Sequence, residues 1–241
     1  MCNGRGRKNM KLFTTVLSLA VLSACSVTEQ PIPEFTAVPD SNLQQMQDTR
    51  FDRFVIDPQA DFSQYDKVIF FPTQFDKLTI DEGADNQLTN SWNASTWDEM
   101  DKICQFFDDF AQLTFAQKSG LEPTNQGGEN VLAIEFRLMN FMPYQRRYQD
   151  ANRDTVALRG QRNGLGSITF QAVVANSKTG ELLAVIEDGM ELNPGNMLIV
   201  KGDPNLQVDS ASRMAQNVAW RKTFKRIANR LHEDLIRLKQ S

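Results

Sequence analysis

Between Val131 and Leu138 the side chains alternate, with Leu132, Ile134, Phe136 and Leu138 on one side and Ala133, Glu135 and Arg137 on the other. Successive strand residues point to opposite faces, so this segment is a β-strand with one dry face and one wet face. A second alternating run, Ile168, Phe170, Ala172 and Val174, reaches Asn176-Ser177-Lys178-Thr179-Gly180-Glu181 and returns through Leu182 to Ile186. Turn-forming residues between two β-rich runs specify a hairpin. A one-faced sheet must be covered by a second layer. Two helices supply it. Trp97, Met100, Cys104, Phe107, Ala111 and Phe115 recur at helical spacing over about residues 96–118, and Trp220, Phe224, Ile227, Leu231, Leu235 and Leu238 form one stripe over roughly 210–238.

Upstream, the polar stretch Asp61–Lys67 feeds the apolar run Val68-Ile69-Phe70-Phe71, which predicts a first strand over residues 66–71 ended by Pro72. Ser95 with Asp98 three residues on resembles a capping box for the first helix, and Ser119-Gly120 supplies its stop. The expected fold is α+β: a two-layer sandwich, a mixed sheet of about four strands with two long amphipathic helices on one face, in the order β-α-β-β-β-α. The crossover through the first helix should be right-handed.

The start of the chain concerns address rather than fold. Arg5, Arg7, Lys8 and Lys11 precede an apolar run from Leu12 to Leu22, the charge-then-hydrophobe order of a secretory signal. Eleven positions fall short of the roughly 20 apolar residues that a spanning helix needs. Translation from Met1 or from Met10 leaves the same signal. Leu22-Ser23-Ala24-Cys25 resembles the lipobox of bacterial lipoproteins. The resemblance implies cleavage after Ala24, a diacylglycerol on the Cys25 thiol and an acylated amino group, which together hold a protein stably to a bilayer. Ser26 is typical of delivery to the outer membrane in such proteins, and the expected location is that membrane, facing the periplasm. Residues 1–24 are thus read as signal peptide. Residues 25–50, with Pro31, Pro33 and Pro39, are read as lipidated cysteine and tether, and 51–241 as one α+β domain.

The signal with its lipobox, the stretch DFSQYDKV at Asp61–Val68, the turn Ser177–Leu183 and the last helix with Trp220 together resemble a family of proteobacterial lipoproteins of unknown function. The motifs that carry this likeness are structural, and the resemblance implies a fold and an address but no activity. The outline is also similar to that of auxiliary lipoproteins of lipid-transport systems, a likeness of fold alone.

Removing residues 1–24 takes away four basic residues and no acidic ones, leaving 22 Lys and Arg against 30 Asp and Glu, a formal charge of −8. Nucleic-acid binding relies on cations that neutralise phosphates, so no such partner is expected. Of the three cysteines only Cys104 stays a free thiol, on an apolar helix face where cysteine behaves as a small hydrophobe. The single histidine, His232, is read as a solvated residue on the helix flank. One histidine and one thiol leave no zinc site of nitrogen and sulfur ligands, and no cofactor is expected. Asp108 with Asp109 and Glu187 with Asp188 are adjacent pairs whose side chains diverge. Asp81–Asn86 lacks the ligand spacing of a calcium loop, and Gly160, Gly164 and Gly166 lack the strand-to-helix context of a phosphate fingerprint.

The long connection Phe141–Gly164 carries Arg146, Arg147, Arg153, Arg159 and Arg162, which mark a candidate contact for an envelope protein or an anionic lipid. The expected function is a membrane-anchored, non-enzymatic lipoprotein that binds or scaffolds another envelope component. A carboxylate-dependent hydrolase of envelope glycan is the alternative. The first test is Cys25→Ala: lipid labelling and membrane retention should both be lost, as read by fractionation.

Overall fold

A computed structural model describes residues 33–39, 42–81, 90, 92, 96–144, 165–193 and 213–241. The strands are β1 (Phe35–Ala37), β2 (Gln44–Met46), β3 (Arg53–Ile56), β4 (Lys67–Gln74), β5 (Thr79–Ile80), β6 (Glu122–Pro123), β7 (Val131–Pro143), β8 (Gly166–Asn176) and β9 (Leu182–Leu192). The long helices are α1 (Thr96–Ala116) and α2 (Arg213–Gln240). All nine strands join one mixed sheet in the order β1-β2-β3-β9-β8-β7-β4-β6, and β5 pairs with β7 off that path.

The expectation of about four strands is therefore wrong. β4, β7, β8 and β9 are the strands that alternation or β-rich composition picks out, and five short ones extend the sheet. β1 and β2 lie inside the stretch read as tether and form a small antiparallel hairpin, in which Phe35 faces Met46. Segments of two to four residues are too short to show a period. The α+β class stands, with α1 and α2 packed against the same apolar core. The predicted hairpin is also present: Ala172 faces Ile186 across β8 and β9, and Gly180 turns the chain at φ 76. The Asn176 carboxamide accepts from the Lys178 and Thr179 amides at 2.9 and 3.2 Å and so holds that turn.

Parallel pairing of β4 with β7, Val68 against Leu132 and Phe70 against Ile134, requires a crossover, and α1 makes it. Its predicted cap at Ser95 lies outside the described residues, as do Glu82–Asn86. Pro72 sits inside β4 rather than ending it. The register shifts between Phe71 and Gln74, a bulge near the sheet's edge, where a residue without an N–H is tolerated.

The dry face is the one the alternation marks. Leu132, Ile134, Phe136 and Leu138 are buried, while Ala133, Glu135 and Arg137 are half-buried on the opposite face. The two helices meet the sheet through aromatic rings. Phe107 of α1 lies 4.3 Å from Phe136 of β7 and stacks on Phe224 of α2 at 4.4 Å, and Trp220 reaches Phe141 at 5.5 Å. Such contacts combine large apolar burial with specific ring geometry. Phe107→Ala should cost about 3–5 kcal/mol in urea unfolding. Leu113→Ala, at a side chain 51% exposed, should stay within about 0.5 kcal/mol.

Candidate functional site

The residues singled out for chemistry fall into three groups. Cys25, Arg146, Arg147, Arg153, Arg159 and Arg162 lie outside the described residues. The adjacent carboxylates diverge as expected. Asp109 is exposed, whereas Asp108 turns inward to accept from the Thr73 amide at 3.1 Å and the Thr73 hydroxyl at 2.6 Å. Burial raises the Asp108 pKa, and the hydrogen bonds from Thr73 oppose the rise. Glu187 lies on the open face of the sheet with Arg53 at 3.0 Å and Gln171 at 2.8 Å. Asp188 is buried on the helix side, 3.3 Å from Arg230.

In the third group the sequence misreads His232 and not Cys104. His232 is not solvated; it is 5% exposed, its ring meets Phe115 edge-on at 4.9 Å, and its Nε2 has no hydrogen-bond partner. Burial lowers its pKa, and the nearby Lys118 cation adds to the effect. A helical wheel places it about 100° off the stripe, but α1 and the segment that follows it cover that flank as well. Cys104 is a buried free thiol, as expected, and burial raises its pKa, with Asp108 and Asp101 nearby adding to the rise. Thiolate, the reactive form, is thereby disfavoured.

Two polar features escaped the sequence because their partners are far apart in the chain. The first is a clasp between α2 and the segment joining β2 to β3. The Thr49 hydroxyl donates to Asp234 at 2.7 Å, Arg237 donates to the Asp48 carbonyl at 2.8 Å, Arg230 donates to the Arg50 carbonyl at 3.0 Å, and Arg50 pairs with Glu233 at 3.0 Å. Beside it, the Asp52 carboxylate accepts from the Gly189 amide at 3.0 Å, next to Asp188 in the chain. Burial first, and then the hydrogen bond and negative charge of Asp52, raise Asp188 to about 6 against the pull of Arg230.

The second feature is a cavity of about 370 Å³ lined by Ile69, Phe70, Gln112, Pro123, Thr124 and Asn125. It lies where β6 stops and β4 continues. Alternate β4 residues turn their backbone toward β6: the Asp66 carbonyl accepts from Glu122 at 2.9 Å and the Val68 carbonyl from Thr124 at 2.8 Å. The same alternation turns the N–H and C=O of Phe70 toward the cavity, just past the last β6 contact. Pro72 removes the next outward donor, and Asp108 occupies the amide of Thr73. The result is a gap in the sheet edge about one residue pair long, with no charged side chain in its lining. Among the described residues no three His, Cys, Asp or Glu side chains lie close enough to hold a metal ion.

The Asp188 carboxyl should make stability depend on pH. Its folded pKa, about 6, lies above its ordinary value of 3.8. The protonated form therefore favours the fold, and its contribution is fully present below about pH 4 and lost as pH rises through 6. The loss should be at most about 3 kcal/mol. Asp188→Asn should flatten that part of a melting-temperature profile. A profile unchanged by the substitution would show that Asp188 titrates normally.

Comparison with known proteins gives a family and two distant structures. No curated protein matches the chain. Solved structures similar to it include protein XCC0632 from Xanthomonas campestris, assigned to family DUF330, with 8% identity, a TM-score of 0.42, and coverage of 76% of this chain and 91% of that one. Another is the hypothetical protein CT253 from Chlamydia trachomatis, with 10% identity, a TM-score of 0.29, and coverage of 69% and 98%. Both likenesses are too loose to bear on the site. A family model described as a protein of unknown function, DUF3313, matches residues 36–197. That span is more than half of the 241 residues, and the chain belongs to the DUF3313 family.

Proposed function

We propose that this chain is a membrane-anchored bacterial lipoprotein, held by an acylated Cys25 at the outer membrane and facing the periplasm. In this reading its domain is a non-catalytic binding component that receives a short extended peptide segment of an envelope partner at the edge of β4. The observation that carries it is the gap beyond β6. Among the described residues no backbone group beyond β6 pairs with the N–H and C=O of Phe70, which call for another backbone, and a lining of Ile69, Pro123, Thr124, Asn125 and Gln112 suits an uncharged, partly apolar segment. Adding a strand to a sheet edge is a common way to hold a peptide. β6 itself, two residues long and parallel to β4, shows the direction such a segment can take.

No helix among the described residues is long and apolar enough to cross a membrane, and lipid on Cys25 needs none. β1 begins at Phe35, so nine residues separate it from Cys25. A flexible chain of that length would reach about 15–18 Å. The domain is proposed to sit close to the bilayer that anchors it. Arg146, Arg147, Arg153, Arg159 and Arg162 remain proposed contacts for an anionic lipid or an acidic envelope partner.

The test is selection of short displayed peptides on the purified protein, followed by hydrogen exchange of the complex. Bound peptides should slow exchange of the Phe70 amide, and Thr124→Trp, which fills the gap, should weaken them about tenfold or more. Selected peptides that bind but leave the Phe70 amide unprotected would place the binding surface elsewhere.

A further inference from the structure

The last helix carries charge of the opposite sign to the rest of the chain. α2 holds eight of the 26 Lys and Arg residues and only two of the 30 Asp and Glu residues. Its two halves use their cations differently. In the C-terminal half Arg230 pairs with Asp188, Arg237 with Asp48 and Asp234, and Lys239 donates to the Gly120 carbonyl. In the N-terminal half Arg221, Lys222, Lys225 and Arg226 are exposed. Among the described residues no carboxylate forms an ion pair with any of the four.

The spacing of these four makes them a surface. At 3.6 residues per turn they fall within an arc of about 140°. Arg221 with Lys225, and Lys222 with Arg226, are like charges at i and i+4, which repel and weaken a helix. Two of the side chains are nonetheless held in place. The Arg221 guanidinium lies over the Phe106 ring at 4.5 Å, and Arg226 donates to the Glu191 carbonyl at 3.2 Å. An ordered cationic arc that costs helix stability, on a chain that is otherwise acidic, is what an anionic surface would select.

We propose that this face of α2, Arg221, Lys222, Lys225 and Arg226, docks on the anionic headgroups of a lipid bilayer. Clusters of four or more Lys and Arg on one helix face are attracted to such surfaces within a Debye length. Nearness to a bilayer rests on the anchoring proposed above. The charge argument does not.

The experiment uses the full chain made without acylation, so that failure of the Cys25 anchor leaves it intact. Sedimentation with vesicles of about one-third phosphatidylglycerol should carry down at least about tenfold more protein than vesicles of phosphatidylcholine alone. In every chain compared Arg5, Arg7, Lys8 and Lys11 are changed to Gln, so that the N-terminal segment adds no preference for the anionic vesicles. The preference should fade in about 0.5 M salt. In the double substitution Lys222→Glu, Lys225→Glu it should drop at least about fivefold while the unfolding temperature holds. Should that chain melt early, Lys222→Gln with Lys225→Gln is read in its place. Equal partition of the unaltered protein between the two vesicles, or a preference undiminished by loss of the two lysines, overturns the proposal. So does tighter binding to soluble polyglutamate than to vesicles at matched charge, which would make the partner an acidic polypeptide.

Discussion

The ring of Phe107 is where three elements meet, and the burial it organises makes the fold a sandwich rather than a loose sheet. It touches Phe136 of the sheet and Phe224 of the last helix, so neither helix covers the strands independently of the other. Phe70 extends the same array, edge-on to Phe115 at 5.0 Å and stacked on Phe136 at 6.2 Å. With no disulfide described and the one described cysteine buried as a thiol, this apolar contact is the main source of stability. The opposite sheet face is tied by polar cross-strand contacts such as Arg53 with Glu187.

On the helix side, the polar groups sit at the margin of that core and join parts of the chain that are distant in sequence. Asp234, Arg237 and Arg230 bind the segment between β2 and β3, while His232 is pressed against Phe115. Asp188 and His232 respond to pH in opposite senses. The raised carboxyl favours the fold at low pH; the lowered imidazole favours it once pH exceeds the histidine's ordinary range. As pH rises toward about 6 the carboxyl's contribution is lost while the imidazole's is gained, so the two oppose one another.

What could be read in the sequence divides along physical lines. Strands of eleven or thirteen residues with one wet face, and helices of 21 and 28 residues with an apolar stripe, carry enough periods to be recognised. Two- to four-residue strands do not, and β1 with β2 was hidden further by prolines that suggested a tether. Pro72 reads as a stop in the sequence because an isolated strand gives no sign of which backbone edge will be left unpaired. The Asp52–Asp188 pair and the gap beside Phe70 depend on residues brought together only by sheet topology. Nothing local announces either. His232 was misplaced because a wheel drawn for one helix omits the neighbour that closes over its side.

The clasp also determines how the domain meets a mechanical load. A pull on the chain ahead of Pro33 would act first on β1, an edge strand joined to β2 over three residues, and would open that hairpin one pair at a time. Behind it β2 is held to β3 at Gln44 and Gln45, and the force then arrives at Asp48 and Thr49, which are bonded to Arg237 and Asp234 near the far end of the chain. From there it is shared with α2 and, through the rings, with the whole sheet. The first hairpin can act as a yielding element, and the core behind it is loaded only after that element has given way.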